Sequence, residues 1–245
     1  HPCRASYTLV RPGYFFAMKF AMKQDAPIVV PAQPYSLTLD LDHTALLVID
    51  MQNDFCTIGG WADCKGFDVS QTQKPIQPLQ ALLAALRQTP VTIIHTREGH
   101  RPDLSDCPPH KLARSKKQNA AIGSEGAMGR LLTRGSKSHD FVDELQPVSG
   151  EIILDKPGKG AFVATDLDLI LRQRGIRKLL LTGVTTECCV HTTLRTANDL
   201  GYECLLLEDC CASLKPEFHR VAVEMTQVIF GWVTSSTELL KAIEL

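Results

Sequence analysis

The chain of 245 residues is long enough for one large domain with a substantial buried core. Its 44% hydrophobic and 22% charged residues are ordinary for a soluble globular protein, and its formal net charge of -1 includes no block of like charge. This balance favours neither nucleic acid nor a membrane surface as a partner, and no apolar run approaches the roughly 20 residues that span a bilayer.

The nine cysteines are an odd number and do not form repeated C-x-x-C pairs. Several lie in apolar runs, such as Cys204 in YECLLLEDCC, where a reduced thiol behaves as a small hydrophobe. This usage predicts free thiols in a reducing, cytoplasmic compartment. Residues 1–25 show no clear period, and we expect them to be a disordered or non-native N-terminal extension before a single domain at 26–245.

Beyond residue 40, short apolar runs alternate with segments of helical spacing. The predicted strands are 44–50, 91–96, 151–155, 178–184, 203–209 and 228–233. The predicted helices are 75–88, 165–175, 189–201, 216–227 and 235–245. The polar segment 97–129, rich in turn-forming and charged residues, is predicted to be a long loop of the kind that usually serves a function.

This alternation predicts an α/β fold, with one domain of three layers, α/β/α, around a mostly parallel, six-stranded, Rossmann-like sheet. The strands are almost continuously apolar, as expected when helices cover both faces. In such folds, ligands bind at the carboxyl ends of the strands. Asp50, Lys156 and Cys189 fall at or just beyond such ends, which makes them candidate functional residues.

Together these three side chains can form a nucleophilic hydrolase site that needs neither histidine nor metal. The start of a helix carries partial positive charge, which favours thiolate at Cys189 and supplies N–H donors for an oxyanion. Asp50 can take the thiol proton and deliver it to a leaving amine, while Lys156 keeps the carboxylate ionised. Each residue also has an ordinary interpretation. Asp50 can be a cap of a loop or helix, Lys156 a solvated charge, and Cys189 a side chain that fills the core. Spacing alone leaves both interpretations open.

Three segments, VIDMQNDFC, DKPGKGAF and TGVTTECCVHTTLRTANDLGYE, resemble the signature segments of the isochorismatase-like cysteine hydrolases. The resemblance extends over 40–245 and implies the catalytic triad Asp50, Lys156 and Cys189. In the family, the nucleophile is the cysteine directly before Val in a G-x-x-T-x-x-C-V pattern, which selects Cys189 here. The adjacent Cys188 takes a position that is usually apolar, and we expect it to serve packing.

The resemblance also implies a cis peptide bond between Val184 and Thr185. A cis bond without proline costs about 3 kcal/mol and persists where it serves a purpose. In the family, this bond directs the N–H of the threonine into the oxyanion hole. The expected oxyanion hole here therefore consists of the N–H groups of Thr185 and Cys189.

Two further segments, HTREGHRPDL and YECLLLEDCC, resemble the biuret-hydrolysing members of the family. By this resemblance, Phe55 and Lys159 line the substrate pocket, Arg101 lies near it, and Gln227 helps to bind the substrate. The match at Gln227 is the weaker one, because QVIFG lacks a residue relative to the biuret-type QGGVFG.

Some relatives, the nicotinamidases, bind a metal through a carboxylate and two histidines. The corresponding residues here are Glu98, His100 and His110, which in principle form a carboxylate–histidine–histidine site. The biuret-type relatives share the EGH segment without a metal. We therefore expect neither a metal nor another cofactor, with Glu98 and His100 orienting loops near the pocket.

The resemblance implies hydrolysis of a C–N amide bond in a small ureido compound through a covalent acyl-enzyme, with biuret converted to allophanate and ammonia. The alternatives are ureidoacrylate, triuret or N-carbamoylsarcosine as substrate, metal-assisted nicotinamidase chemistry, and a binding protein of the same fold without activity. The resemblance further implies a role in nitrogen metabolism and a homotetramer. The sequence itself contains no direct interface signal.

Overall fold

The computed structural model describes residues 26–244, so the predicted extension at 1–25 lies outside the described residues. The strands are β1 Ile28–Val30, β2 Leu37–Leu39, β3 Thr44–Ile49, β4 Thr92–Glu98, β5 Glu125–Gly126, β6 Gly129–Arg130, β7 Ile152–Lys156, β8 Lys178–Val184, β9 Glu203–Ala212 and β10 Trp232–Thr234. The α-helices are α1 Asn53–Cys56, α2 Trp61–Cys64, α3 Ser70–Gln73, α4 Ile76–Leu86, α5 Pro109–Lys117, α6 Leu167–Gln173, α7 His191–Asp199, α8 Pro216–Met225 and α9 Ser236–Glu244.

Shorter helical segments complete this part of the chain. Three are 3-10 turns, at Leu41–His43, Lys137–His139 and Asp143–Leu145. Two are π turns, at Thr186–Val190 before α7 and at Thr226–Phe230 after α8. Between residues 26 and 244, no helix is both long and apolar enough to cross a bilayer.

Six strands form one sheet in the order β10-β9-β8-β3-β4-β7, and every neighbouring pair runs parallel. This arrangement confirms the predicted α/β fold with its six-stranded sheet. β1 and β2 form a separate antiparallel pair that the sequence did not predict, and Gln33 bridges it to Val233 in the edge strand β10. Because β3 lies between β8 and β4, the residue that follows β3 lies near the middle of the carboxyl edge.

The central strand β3 explains why helices cover both faces of the sheet. All six of its residues are buried. Leu46 and Val48 belong to one core, with side chains of α4 and α9, whereas Leu47 and Ile49 belong to the other, with side chains of α6 and α7. Successive side chains of a strand point to opposite faces, so a continuously apolar strand needs a helical layer on each side. The three predicted layers are confirmed.

The prediction of a long loop over 97–129 was wrong in one place, because Pro109–Lys117 forms the helix α5. Ser115 is the one residue of this helix that is buried, and the others are largely polar or charged. An amphipathic helix is predicted from an apolar stripe, and α5 has almost none. Its first residue, Pro109, is the remaining sequence signal for a helix start.

The prediction of a strand over 228–233 was also wrong in its first half. Val228 and Ile229 are exposed residues of the second π turn, and β10 begins at Trp232. β-Branched residues favour a strand where neighbouring side chains pack on them, and these two have no such burial. At Gly231 an added Cβ would collide with the backbone of β9. The absence of a side chain therefore lets the chain turn this close to the sheet.

Candidate active site

The carboxyl ends of three strands bring together the three predicted catalytic side chains. Asp50 directly follows β3, Lys156 is the last residue of β7, and Cys189 lies in the π turn after β8. Their exposed fractions are 0%, 0% and 4%. Gly183 in β8 has a φ of +107°, and a Cβ there would collide with the backbone of Ile49. Glycine therefore lets β8 approach β3 closely beside Asp50.

Asp50 and Lys156 form a buried ion pair. The Lys156 Nζ donates to Asp50 Oδ2 at 2.7 Å and to the carbonyl oxygens of Gly158 and Lys159, both at 2.9 Å. The Thr96 hydroxyl donates to Asp50 Oδ1 at 2.6 Å, so both carboxylate oxygens are held. Burial raises the pKa of Asp50, although the Lys156 ammonium opposes this shift. Burial lowers the pKa of Lys156, but the neighbouring groups of Asp50, Cys189 and Glu98 together outweigh it, and the net shift is upward.

Cys189 lies inside a π turn rather than at the first position of an α-helix. The N–H groups of Cys188 and Val190 both donate to the Thr185 carbonyl oxygen, at 3.1 and 3.2 Å. The helical segment therefore begins at Thr186, three residues before the predicted start. The wider turn directs the Cys189 side chain toward the carboxyl edge of the sheet, where it meets two carboxylates.

The Cys189 thiol donates to Glu98 Oε2 over 3.4 Å. The Cys189 sulfur, one carboxylate oxygen of Glu98 and one of Asp50 all lie within 4.8 Å of one another. The neighbouring Cys188 thiol and burial raise the pKa of Cys189, and the Lys156 ammonium lowers it by less. The Cys188 contact and burial therefore favour the neutral thiol at Cys189, and the nearby carboxylates of Asp50 and Glu98 act in the same direction. The sequence predicted the opposite tendency, because a helix start favours thiolate.

The peptide bond between Val184 and Thr185 is cis, as the resemblance implied. Cys188 is partly buried and packs against the core that includes α7, in agreement with the packing role expected for it. The assignment of the Thr185 and Cys189 N–H groups to an oxyanion hole stays a prediction.

Glu98, the last residue of β4, belongs to the site, although the sequence left its role open. Its buried carboxylate accepts hydrogen bonds from Lys159 Nζ at 2.7 Å and from Lys111 Nζ at 3.0 Å. Burial raises the pKa of Glu98, but the ammonium groups of Lys159, Lys156 and Lys111 together hold it far below its usual range. Glu98 is therefore ionised. The signal that points to it is its position at the carboxyl end of the strand next to β3.

Asp50, Glu98 and Cys189 are the group of potential metal ligands that residues 26–244 bring together. Lysine ammonium groups already contact both carboxylates of this group, which disfavours a further cation at the same oxygens. The alternative carboxylate–histidine–histidine site does not form. The His100 ring is 3.2 Å from the carboxylate of a loop residue, and His110 faces a cavity beside the site.

The four predicted substrate-binding residues lie in different places. Lys159 belongs to the buried charge cluster, so it is brought to the triad. Phe55 is buried in α1, where its ring lies edge to face with Trp61 at 6.0 Å between centroids. Arg101 is exposed in the loop after β4. Gln227 lines a separate surface depression beside the second π turn. The structure does not bring Arg101 or Gln227 to the triad, and their roles stay predictions.

A cavity of about 350 Å³ lies beside the charge cluster. Its wall is formed by side chains of α2, α5 and the turn after β7, including Trp61, Lys111 and Lys159. Lys111 and Lys159 also contact Glu98, whose other oxygen faces the Cys189 thiol. The Glu98 carboxylate therefore contacts both the cavity wall and the sulfur, and the cavity has the size of a small-molecule site.

The fold and the site define a class of protein: a parallel α/β domain with a buried thiol, carboxylate and ammonium at the carboxyl edge of its sheet. The isochorismatase domain family matches residues 44–238, which is most of the chain. The chain belongs to the isochorismatase family.

Two curated relatives carry the name ureidoacrylate amidohydrolase RutB. The one from Enterobacter sp. (strain 638) is 36% identical over 218 residues, which cover 87% of this chain and 95% of that protein. The one from Acinetobacter baylyi is 33% identical over 220 residues, which cover 88% and 90%. A solved cysteine hydrolase from Pseudomonas syringae pv. phaseolicola is 27% identical, with a TM-score of 0.72, and the match covers 84% of this chain and 94% of that one. At the level that the family and these relatives share, the chain is a hydrolase of the isochorismatase family.

Proposed function

We propose that the chain is a cysteine-dependent amidohydrolase that cleaves a C–N bond of a small ureido compound. One observation carries this proposal: the Cys189 sulfur lies within 4.8 Å of a carboxylate oxygen of Asp50. Lys156 holds that carboxylate at 2.7 Å. A thiol beside an oriented base is the arrangement that nucleophilic catalysis needs.

The first half of the reaction begins with the neutral thiol. Asp50 removes the S–H proton as the Cys189 sulfur attacks the ureido carbonyl carbon, so that an S–C bond forms and the carbonyl oxygen becomes an oxyanion. The N–H groups of Thr185 and Cys189 stabilise that oxyanion. When the C–N bond breaks, Asp50 returns the proton to the departing nitrogen, which leaves as ammonia or an amine. The product is a thioester-type acyl-enzyme.

Water completes the cycle. Asp50, again ionised, takes a proton from water as the water oxygen attacks the acyl carbon. The S–C bond then breaks, and Asp50 returns the proton to the sulfur of Cys189. Lys156 keeps Asp50 available in its ionised form, because its ammonium opposes the upward shift of the Asp50 pKa that burial causes.

Two ureido compounds are candidate substrates. The segments HTREGHRPDL and YECLLLEDCC resemble biuret-hydrolysing relatives, which supports biuret as the substrate and allophanate and ammonia as the products. The names of the two curated relatives support ureidoacrylate instead. The homotetramer, which the resemblance implies, and the cytoplasmic location stay predictions.

Total ammonia released from biuret, ureidoacrylate, triuret and N-carbamoylsarcosine tests this proposal. Cys189→Ser should lower turnover at least about 1,000-fold, because the serine hydroxyl is a far weaker acid than the thiol. Cys188→Ser changes the adjacent thiol in the same way and should keep turnover within about threefold of the unsubstituted protein. Full activity in Cys189→Ser, or equal losses in both variants, would refute the assignment of the nucleophile.

A further inference from the structure

We propose that the cavity beside Glu98 is a binding subsite for the carboxylate of an anionic ureido substrate, with Arg114 and Lys65 as specificity-determining residues. This inference rests on the proposed function, because it concerns the substrate of the same site. It favours a ureido acid over a neutral compound such as biuret.

The wall of the cavity carries positive charge that carboxylates do not balance. None of its lining residues is acidic, and four of them are lysine or arginine: Lys65, Lys111, Arg114 and Lys159. Behind the wall, Glu98 supplies one carboxylate, which pairs with Lys111 and Lys159. Among residues 26–244, neither Lys65 nor Arg114 has a carboxylate partner within ion-pair distance. The cavity therefore presents two cations that are available to an anion.

Lys65 shows the effect of this unbalanced charge. Its Nζ lies 4.5 Å from the ring centroid of Trp61 and 5.6 Å from that of Phe67, so two aromatic rings hold the ammonium at the cavity. Burial lowers the pKa of Lys65, and the nearby positive charges of Lys159 and Arg114 lower it further. An anion placed among these cations would remove their mutual repulsion and gain favourable contacts.

Arg114 reaches the cavity from α5, the helix that sequence patterning missed. His110, Arg114 and Gln118 are spaced four residues apart and all line the cavity, so one face of the helical segment points to it. Lys116, which is two residues beyond Arg114, does not line it. A guanidinium group matches the two oxygens of a carboxylate, which makes Arg114 suited to recognise one.

The position of the cavity fits a substrate with a carboxylate at one end and a carbamoyl group at the other. Lys159, which lines the cavity, donates to Glu98 at 2.7 Å, and the Cys189 sulfur lies 3.4 Å from the second oxygen of the same carboxylate. A carboxylate held by Arg114 and Lys65 would direct the ureido group of the same molecule toward that sulfur. Such anchoring away from the reacting bond positions the carbonyl for attack.

Alkylation of Cys189 by two reagents of nearly equal shape tests the subsite. Iodoacetate carries a carboxylate, whereas iodoacetamide is neutral. Fragment-ion mass spectrometry of the peptide that contains Cys188 and Cys189 gives the two rate constants at Cys189. Their ratio, iodoacetate over iodoacetamide, should exceed the ratio for a small free thiol, because the cations attract the carboxylate. Arg114→Gln and Lys65→Gln should each lower the ratio about fivefold and leave the iodoacetamide rate unchanged.

Lys116→Gln is the matched control, because it removes one positive charge from the same helix outside the cavity. It should change the ratio by less than about twofold. With ureidoacrylate as substrate, Arg114→Gln should raise KM about tenfold with little change in kcat, since the lost contact is remote from the reacting bond. The biuret KM should rise much less than the ureidoacrylate KM in that variant.

Two failures are distinguishable in this experiment. A ratio equal to that of a free thiol in the unsubstituted protein, or equal decreases in Arg114→Gln and Lys116→Gln, would overturn the anion subsite while leaving the nucleophile in place. Resistance of Cys189 to both reagents, together with no ammonia from any compound in the panel, would instead refute the proposed function.

Discussion

Two clusters of charged side chains lie at opposite ends of the parallel sheet. At the carboxyl end, the Asp50–Lys156 pair is fully buried, with 2.7 Å between its charged atoms. At the amino end, Glu151 lies between Arg87 and the His95 ring, at 2.8 and 2.9 Å, and 28% of the Arg87 side chain is exposed. Both clusters connect β7 to neighbouring elements. A thiol lies beside the carboxyl-end cluster, and water reaches the amino-end cluster.

This difference in environment separates the two carboxyl groups chemically. Burial raises the pKa of Asp50, and the contacts with Lys156 and Thr96 oppose that shift. Burial also acts on Glu151, but its hydrogen bonds with Arg87 and with a backbone N–H outweigh it, so the pKa of Glu151 is lowered. A carboxyl group with a raised pKa can exchange a proton during turnover. One with a lowered pKa stays ionised and serves as a structural ion-pair partner.

The largest expected effect is on the free energy of unfolding, and it differs between Lys156 and Arg87, the cations of the two clusters. Lys156→Met leaves the Asp50 carboxyl buried without a cation, and we expect it to lower the free energy of unfolding by about 3 kcal/mol. Arg87→Met leaves Glu151 with the His95 ring and access to water, and the expected loss is about 1 kcal/mol. Urea denaturation at neutral pH measures both values. Equal losses of unfolding free energy in the two variants would mean that the difference in burial does not make the two ion pairs differ in their contribution to stability.

Glu98→Gln tests the second carboxylate at the carboxyl end. The pKa of Glu98 in the folded protein lies below the unfolded value of 4.5. Ionised Glu98 therefore contributes stability above that unfolded value, and the contribution is lost as the pH falls toward the folded pKa. The difference in unfolding free energy between the unsubstituted protein and Glu98→Gln should be about 2 kcal/mol at neutral pH and should shrink steadily below about pH 4.5.

Glu238→Gln provides the control for that experiment, because Glu238 is a partly exposed carboxylate paired with Lys241 on α9. Its effect on the unfolding free energy should stay near zero across the same pH range. A loss in Glu98→Gln that is the same at neutral and at acid pH would show that Glu98 is not held ionised by its lysine partners.

Thr96→Val should have the smallest effect. The Thr96 hydroxyl donates to Asp50 and lowers its pKa, so its removal should raise that pKa further. Because ionised Asp50 is the proposed base, the acid limb of the kcat/KM profile should move to higher pH by up to about one unit. Thr182→Val, in a buried threonine that donates to the Leu47 carbonyl oxygen instead, should leave the limb in place. A limb unmoved in Thr96→Val would argue against Asp50 as the base.

The sequence predicted the sheet and the positions of Asp50 and Lys156 at strand ends, because both depend on local signals, whereas the catalytic roles came from the resemblance and stay predictions. The central strand β3 is a continuous apolar run and β7 begins with one, and Asp50 and Lys156 lie directly at the ends of these two strands. The helix α5 and the turn at Val228 were mispredicted because the first has no apolar stripe and the second is apolar yet exposed. The periodicity of apolar residues predicts which residues are buried. It failed here because α5 is a helix with little burial and the turn at Val228 is apolar but exposed.

The role of Glu98 depends on contacts that no local pattern contains. Its cationic partners Lys111 and Lys159 are 13 and 61 residues away in sequence, and Cys189 is 91 residues away. The fold alone brings them around one carboxylate. Lys111 also comes from α5, the helix that was predicted as a loop, so the charge of the cavity wall could not be assembled from the sequence.

The most direct test of the central claim is to trap the covalent intermediate. The protein is quenched with acid during turnover of the best substrate in the panel, and its peptides are analysed by mass spectrometry. The account predicts an acyl adduct on Cys189 and an unmodified Cys188. An adduct on Cys188, or sustained turnover by a Cys189→Ala protein, would contradict it.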